Sequence, residues 1–164
     1  MATIELRHEF NCDQDTFWKE VFFDADFNRK LFLEHLRFEH WEVAKMEEND
    51  NEIRRTLDII PTVGDMPGPL KKFASDLGFR EEAVFNKKTK VHRFKVIPNK
   101  MANKLNIEGQ VTVEEKGNSV VRIVRFEVNA KIFGIGGLLE QRIIADTKVN
   151  YDKGHAYAQA QLGY

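Results

Sequence analysis

Residues 133–161 read FGIGGLLEQRIIADTKVNYDKGHAYAQAQ, and this stretch decides the fold. The glycines at its start predict a hinge, and the periodic residues after them predict one long helix that ends near Gln161. The inner stripe of this helix carries large apolar groups in its first half and small residues in its second half: Leu139, Ile143, Thr147, Tyr151, Gly154 or His155, and Ala158. Small residues either bring a helix close to a sheet or leave space for a ligand, and the sequence leaves both interpretations open.

The chain before this helix alternates between apolar and polar residues, as half-buried strands do. The alternation predicts strands over residues 3–10, 38–45, 52–61, 79–86, 90–97, 105–114 and 120–129. Gly109 lies inside one of these strands, which indicates a bulge or a bend in the sheet.

Short helices are predicted at two places between the strands. Aspartates stand where N-caps are needed for a pair of helices after the first strand, namely Asp13 or Asp15 and then Asp24 or Asp26. Residues 61–69 contain three prolines and two glycines, which is typical of a loop. A further short helix is predicted over residues 70–77, and Gly78 ends it.

The order of elements is therefore β-α-α-β(n)-α. It predicts an α+β fold in which a curved antiparallel sheet wraps around the long C-terminal helix. Such a sheet and helix commonly leave an apolar cavity between them, so the order points to a protein that holds a hydrophobic molecule. At 164 residues we expect a single domain over residues 1–164.

Composition narrows the class of protein. Phenylalanine is used 13 times, against three tyrosines and two tryptophans, which suits either a core or an apolar cavity wall. The single cysteine, Cys12, excludes an internal disulfide. No secretory signal is visible at the N-terminus, and no stretch approaches the roughly 18 apolar residues that a membrane span needs. We expect a soluble, cytoplasmic protein.

Charge is unevenly distributed along the chain. Residues 1–70 hold 8 basic and 16 acidic side chains, whereas residues 71–104 hold 10 basic and 3 acidic ones. The basic 71–104 segment fits either a transient contact with an anionic membrane or acidic partner, or simply a solvated sheet face. The chain lacks the basic total and the stacking motif of a nucleic-acid binder, so we do not expect nucleic acid as a partner.

Three sets of residues resemble calcium, dinucleotide or metal-binding motifs, but each lacks residues or spacing that the motif requires. The acidic run at residues 24–35 imitates a calcium loop but has Arg29 and His35 where a glycine and a bidentate glutamate belong. The glycine cluster before the last helix has Leu139 where a dinucleotide fingerprint needs its third glycine. The five histidines have no short metal spacing. We therefore expect neither a metal nor a cofactor.

Arg55 is the most informative polar residue of the predicted strands. It shares a strand face with the apolar residues Ile53 and Leu57. If that face is buried, the guanidinium must be paired, because an unpaired one would cost several kcal/mol. Arg55 would then orient a polar head group in an otherwise apolar cavity. The alternative is a solvated Arg55 near the end of the sheet.

Two local patterns and the element order resemble a known superfamily. The patterns are Phe17-Trp18 through Phe22-Phe23-Asp24-Ala25-Asp26-Phe27, and Phe133-Gly134-Ile135-Gly136-Gly137-Leu138-Leu139-Glu140. Across essentially the whole chain they resemble the START-like (SRPBCC, helix-grip) superfamily, and within it a bacterial family of unknown function. That family is distantly similar to the VASt (Aster) domains, which carry sterols between membranes.

The resemblance implies that the chain binds or carries a hydrophobic small molecule, such as a lipid, a sterol-like molecule or a polyketide, between the sheet and the C-terminal helix. We expect the following residues to line that site: Phe27, Leu31, Arg55, Leu57, Phe94, Val111, Leu139, Ile143, Thr147 and Tyr151.

Two other functions stay open. The superfamily also contains enzymes, so the chain could be a cyclase or hydrolase for an aromatic or acyl substrate. Its acid–base groups would come from cavity-facing residues among His40, Arg55, Asp58, His92 and Tyr151. The third hypothesis is a docking module that uses the basic 71–104 segment. The identity of the ligand and the oligomeric state do not follow from the sequence.

Overall fold

The computed structural model describes residues 1–62, 64–65, 68–74 and 77–163. An antiparallel sheet of seven strands curves around the long C-terminal helix, in the order β1-β7-β6-β5-β4-β3-β2. The strands are β1 (Ala2–Phe10), β2 (His40–Glu48), β3 (Glu52–Ile60), β4 (Phe79–Asn86), β5 (Val91–Pro98), β6 (Leu105–Lys116) and β7 (Ser119–Ala130). The predicted α+β helix-grip fold is confirmed.

Helices occupy the predicted places in the order of elements. The pair after β1 consists of α1, residues 14–22, and α2, residues 25–35; the others are α3 (Gly68–Ala74) and α4 (Gly136–Gln161). The predicted 61–69 loop includes Val63, Met66 and Pro67, which lie outside the described residues. Ser75 and Asp76 of the predicted 70–77 helix also lie outside them.

The first aspartate of each predicted capping pair caps its helix. The Asp13 carboxylate accepts a hydrogen bond from the Thr16 N–H at 2.7 Å, and the Asp24 carboxylate accepts one from the Phe27 N–H at 2.7 Å. Each cap satisfies an N–H group that the first helical turn leaves unpaired. These bonds fix where α1 and α2 begin, and therefore which of their side chains reach the sheet.

Both short helices end in a wide π-helical turn. In α1 the α-helical turn Gln14–Thr16 continues as the π-helical turn Phe17–Phe22, and in α2 Ala25–Arg29 continues as Lys30–His35. The wider turn places more residues on one side of the helix. In α1 it buries Phe17, Trp18 and Val21 together against the sheet. The sequence pattern predicted these helices but not their π-helical turns.

Gly109 allows the middle of β6 to lie close to β7. A Cβ atom at this position would lie 2.3 Å from the Arg125 carbonyl oxygen and 2.5 Å from the Phe126 Cβ. The register of β6 with β5 and β7 continues through Gly109 without a shift, so the glycine allows a close approach rather than a bulge. The register does shift in β2, between Val43 and Lys45.

The start of α4 is held against the end of β7. The Glu140 carboxylate is buried and accepts a hydrogen bond from the Ala130 N–H at 2.9 Å, and this bond holds the pKa of Glu140 below its ordinary value. Gly136 lies directly on the Ala130 carbonyl group. Near the other end of α4, Gly154 is buried, and a Cβ atom at this position would lie 3.6 Å from Leu31. Ala158 is fully buried. The small residues thus do bring α4 close to its neighbours.

In the part of the chain that the structure describes, no helix combines the length and the apolar character that crossing a membrane requires.

The junction between β7 and α4 is tested by two alanine substitutions at neighbouring glycines. A Cβ atom at Gly136 would lie 2.4 Å from the Ala130 carbonyl oxygen, whereas none of the described atoms lies within 4 Å of one at Gly137. We expect G136A to lower the free energy of unfolding by about 1–3 kcal/mol through overpacking. The control G137A should keep it or raise it by up to about 1 kcal/mol, since alanine favours helix.

Urea unfolding of the three proteins measures the difference. Equal stability of G136A and the wild type would contradict the close contact between α4 and Ala130.

Candidate functional site

The interior between the sheet and α4 is not filled. A cavity of about 240 Å³ lies beside α1 and α2, and one of about 230 Å³ lies beside α3 and the first half of α4. We name them the α2-side lobe and the α3-side lobe. Seven residues line both of them: Phe38, Ile59, Glu81, Phe94, Thr147, Asn150 and Tyr151. The two lobes therefore adjoin along these residues, and we call them together the two-lobed cavity.

The size of the lobes limits what they can hold. Sites for drug-sized ligands usually measure about 300–1,000 Å³, and each lobe is smaller than that. A ligand of ordinary size would therefore extend through both lobes and pass the residues that they share.

All ten residues that the sequence predicted as lining the site lie on this cavity. Five line the α2-side lobe: Phe27, Leu31, Arg55, Leu57 and Val111. Two line the α3-side lobe, namely Leu139 and Ile143, and three line both lobes, namely Phe94, Thr147 and Tyr151. Strand alternation and the inner stripe of α4 bring them together. Their role in ligand binding stays a prediction.

Arg55 points into the interior from the middle of β3. It is 8% exposed, and its neighbours along the inward face, Ile53 and Leu57, are buried too. The guanidinium donates from Nη1 to the Phe22 carbonyl oxygen at 3.3 Å and lies 5.1 Å from the centre of the Phe22 ring. Burial lowers the pKa of Arg55. Of the two alternatives that the sequence left open, the buried arginine is the correct one.

Glu81 is the carboxyl group nearest to Arg55. Its Oε2 atom lies 4.0 Å from Nη2 of Arg55, which is the limit of an ion pair. Glu81 lines both lobes, so the surface that it retains faces the cavity. Burial raises the pKa of Glu81, and the charge of Arg55 opposes that rise. The pair therefore neutralises Arg55 only weakly.

His92 is a neutral, buried group on the wall of the α2-side lobe. It is 1% exposed and packs against the Phe22 ring with the ring centres 4.6 Å apart. Burial, and then the nearby charge of Arg55, lower the pKa of His92 to about 3. Its Nδ1 atom has no hydrogen-bond partner among the described residues.

Arg122 is a second guanidinium on the same lobe. It is 8% exposed and lies between two aromatic rings, 4.9 Å from the centre of Phe10 and 4.8 Å from that of Tyr151. Its Nη2 atom donates to Nδ1 of His8 at 3.0 Å. Burial lowers the pKa of Arg122 to about 10, so the group stays charged at neutral pH.

His8 connects Arg122 to a carboxylate at the surface. Because its Nδ1 atom accepts from Arg122, the ring proton lies on Nε2, which donates to Asp152 Oδ1 at 2.7 Å. Burial lowers the pKa of His8, which favours this neutral form. Arg122 therefore reaches Asp152 only across an uncharged imidazole.

The contacts of the two arginines do not balance the cost of burying them. Removing an ion from water costs several kcal/mol even after relaxation. A cation–π contact returns about 0.5–2 kcal/mol, and the ion pair with Glu81 is long. The α2-side lobe thus holds two guanidinium groups against one carboxyl group of raised pKa, a local excess of positive charge among the described residues.

The sequence matches, over residues 5–162, the family model described as "Protein of unknown function (DUF2505)". The chain belongs to the DUF2505 family. This agrees with the predicted family of unknown function within the START-like superfamily. The distant similarity to VASt domains is not tested by this match and stays a prediction. None of the curated proteins matches the sequence.

Solved structures that resemble this DUF2505 chain share its fold at low identity. Norcoclaurine synthase from Thalictrum flavum is 15% identical, with a TM-score of 0.66 over 99% of this chain and 87% of that one. A START superfamily protein from Mycobacterium smegmatis is 13% identical, with a TM-score of 0.61 and 98% of each chain covered. An 18 kDa protein from Caulobacter crescentus is 11% identical, with a TM-score of 0.65 over 100% of both chains. They confirm the START-like fold and nothing finer.

Two of the predicted acid–base residues of this DUF2505 chain do not line the cavity. Asp58 follows Leu57 in β3, so its side chain lies on the opposite face, where it accepts from Arg80 Nε at 3.1 Å. His40 precedes the buried Trp41 in β2 and lies 3.7 Å from Glu42 Oε1, outside both lobes. Their prediction as cavity-facing groups is wrong because strand alternation turns them outward.

The basic 71–104 segment does not form one surface. Nine of its ten basic side chains fall into three groups: Lys71, Lys72 and Lys100 at α3, Lys87, Lys88 and Lys90 at the β4–β5 turn, and Arg80, Arg93 and Lys95 on the outer sheet face. The tenth, Lys104, lies just before β6, beside Lys131. Since β4 and β5 are antiparallel, the first two groups lie at opposite ends of the hairpin. The structure thus divides the segment between separate surfaces.

A concave region on the outer face of the sheet differs from this cavity in character. A broad depression of about 640 Å³ on the outer sheet face is lined by charged groups that pair with one another, such as Arg125 Nε with Glu5 Oε2 at 2.6 Å. No group of three His, Cys, Asp or Glu side chains among the described residues is placed to hold a metal ion.

The sequence reasoning missed Glu81 and Arg122. Arg122 alternates with the buried residues Val120 and Val124 of β7, and Glu81 alternates with the buried Ala83 of β4. A charged residue within an otherwise apolar strand face is the signal that would have found both.

His92 predicts a specific loss of stability in acid. Its folded-state pKa of about 3 lies below the ordinary value of 6.5, so below pH 6.5 the unfolded chain binds a proton that the folded chain does not. The free energy of unfolding should therefore fall by about 1.4 kcal/mol per pH unit from this group, or roughly 2 kcal/mol between pH 6.5 and 5. The variant H92F should lack this contribution.

Urea unfolding at several pH values measures the contribution as the difference between wild type and H92F. His8 contributes to both proteins and therefore cancels in the difference. Parallel pH profiles of H92F and the wild type would contradict the neutral, buried His92.

Proposed function

We propose that residues 1–164 form a single START-like domain that binds or carries an apolar small molecule in the two-lobed cavity. The observation that supports this most directly is the unfilled space between the sheet and α4, with walls of aromatic and aliphatic side chains such as Phe17, Leu57 and Val111. Burial of an apolar ligand against such walls contributes roughly 25 cal/mol per Å² removed from water. A lipid, a sterol-like molecule or a polyketide has the required chemistry.

The fold neighbours support a binding role in general terms. The norcoclaurine synthase of Thalictrum flavum has been solved in complex with dopamine and hydroxybenzaldehyde. That protein uses the same fold to hold small molecules, although at 15% identity it indicates nothing about which molecule this chain holds.

We propose that the ligand enters the cavity beside α3. The α3-side lobe is bordered by Arg142 and Asp146, whose side chains are partly exposed and pair at 2.9 Å. Charged, solvated residues at this border and apolar residues deeper in the lobe, such as Leu139, are the arrangement expected of an opening.

Binding without catalysis fits the titratable groups better than the cyclase or hydrolase alternative does. A general acid or base works best when its pKa lies near the working pH. Burial raises the pKa of Tyr151 to about 12, and burial lowers that of His92 to about 3. No hydrogen bond joins Arg55, His92 and Tyr151 to one another among the described residues. If the chain were an enzyme, Glu81 would have to act as its general acid or base.

A transient membrane contact has one specific observation in its favour. Phe133 is fully exposed in the turn between β7 and α4, and Leu138 is exposed nearby. The Lys131 N–H donates to the Lys104 carbonyl oxygen at 2.7 Å, which brings two exposed lysines to this turn. An aromatic side chain flanked by lysines suits an anionic lipid surface. We propose that a cytoplasmic carrier would touch an anionic membrane through this turn.

Cavity binding is tested by filling the place where the lobes meet. Thr147 lines both lobes, so T147W should block them and weaken the binding of Nile red at least about tenfold. The control is V149W, because Val149 is 48% exposed on the same helix. Fluorescence titration measures binding, and mass spectrometry of solvent extracts identifies apolar molecules that co-purify.

Two results would contradict the proposal. The wild type would bind neither Nile red nor any co-purifying apolar molecule, or a folded T147W, checked by circular dichroism, would bind the dye as tightly as V149W does.

The membrane contact is tested by flotation with vesicles. We expect the wild type to float with phosphatidylglycerol vesicles at low salt and to detach as salt rises, because exposed charges are screened within about 8 Å at physiological ionic strength. F133S should float less, whereas the control M46S, at an exposed residue of β2, should float like the wild type. Equal flotation of F133S and wild type, or none with either, would exclude a contact through this turn.

A further inference from the structure

We propose that the ligand of this cavity carries an anionic group, and that Arg55 and Arg122 bind that group in the α2-side lobe. The inference rests on the proposed function, because it concerns the chemistry of the molecule that the cavity holds. It restricts the ligand to amphipathic anions, of which a medium-chain carboxylate is the simplest representative.

Arg55 keeps most of its donors available for such a group. A guanidinium has five N–H donors. The polar contacts of Arg55 are one hydrogen bond of 3.3 Å to the Phe22 carbonyl oxygen and one ion pair of 4.0 Å to Glu81. The rings of Phe22 and Phe23 lie 5.1 and 5.3 Å from the guanidinium and use none of its N–H donors. Its Nε atom has no partner among the described residues. The side chain lines the α2-side lobe, so an anion there could approach it.

Arg122 is even less neutralised. Its described hydrogen bond goes to the uncharged His8, and its Nε atom also has no partner among the described residues. The rings of Phe10 and Tyr151 hold the guanidinium in one place. A fixed, dehydrated guanidinium is suited to bind a carboxylate, because little conformational entropy is lost and the planar donors match the two oxygens.

Carboxyl groups of the protein do not supply the missing charge. Glu81 is the carboxyl residue among those described that line the α2-side lobe, and it stands at the junction with the other lobe. Asp152 is solvated and is separated from Arg122 by His8. A neutral apolar ligand would fill the lobe and leave Arg122 without a directly bound counter-ion and Arg55 with only the long ion pair to Glu81. An anionic group would supply one.

The same arrangement gives the ligand a direction. Its anionic group would lie between Arg55 and Arg122, beneath α2. Its apolar part would pass Tyr151 and Thr147 and extend into the α3-side lobe, towards Leu139. The α3-side lobe has a mainly apolar lining, which suits the apolar part of the ligand. The solvated Arg142–Asp146 pair marks the opening of this lobe, so the anionic group would enter first and the apolar tail last.

Three ten-carbon probes that differ in their head group test the inference. Decanoate, decanol and decylamine compete with Nile red in a fluorescence titration of the wild type at about pH 7.5. We expect decanoate to bind at least about tenfold more tightly than decanol, because hydrogen bonds to charged partners are the strong ones. Decylamine should bind more weakly than decanol, since its charge is repelled.

Variants assign the preference to the two arginines. In R55Q and R122Q the affinity ratio of decanoate to decanol should fall towards one. The control is R54Q, because Arg54 is the exposed neighbour that points away from the cavity, and it should keep the wild-type ratio. The ratio within one protein is insensitive to small changes in packing. If R122Q does not fold, R122K replaces it and should show a smaller ratio than the wild type.

The outcomes separate the two claims. If decanol binds as tightly as decanoate to the wild type, the anionic head group is wrong, while the proposed cavity binding stands. If R55Q and R122Q keep the wild-type ratio, the two arginines do not bind the head group. If none of the three probes and no Nile red binds, the proposed function itself fails.

Discussion

The cavity depends on how α4 is fixed at its two ends. At its start, the buried Glu140 carboxylate binds the Ala130 N–H and Gly136 lies on the Ala130 carbonyl group. Near its end, Ala158 is fully buried and Gly154 is buried beside Leu31. Between these contacts the sheet curves away from the helix, with Gly109 allowing β6 and β7 to approach closely. The middle of α4 therefore lies over open space rather than over packed side chains.

Within this space the most unusual feature is positive charge. Apolar cavities are ordinary in a fold of this kind, but two buried guanidinium groups with long or indirect carboxylate partners cost free energy that the fold alone does not need. Proteins tolerate such local costs mainly at sites that bind or react. Arg55 and Arg122 therefore say more about the ligand than the many phenylalanines do, since these would serve a core equally well.

Much of the fold and of the cavity wall was predictable, because both follow from periods in the sequence. The inner stripe of α4 and the alternation in β3, β5 and β6 place residues such as Ile143, Leu57 and Val111 on one interior. The π-helical turns were not predictable, since their wider hydrogen bonding has no separate sequence period. His40 and Asp58 were assigned by residue type rather than by strand face, and therefore wrongly.

Other features depend on contacts that no local pattern contains. Arg122 and His8 are 114 residues apart in the sequence and meet because β1 pairs with β7. The excess of lysine and arginine in residues 71–104 is likewise divided by the β4–β5 hairpin, which a charge count along the chain does not reveal.

The central claim is that the space beneath α4 is empty of protein and open to an apolar guest. Diffraction from crystals pressurised with xenon tests it most directly, because apolar cavities take up this gas. The account predicts xenon, or the density of a co-purified ligand, in both lobes beside Thr147 and Tyr151. An interior filled by interdigitated Phe and Leu side chains, with neither xenon nor ligand between the sheet and α4, would contradict it.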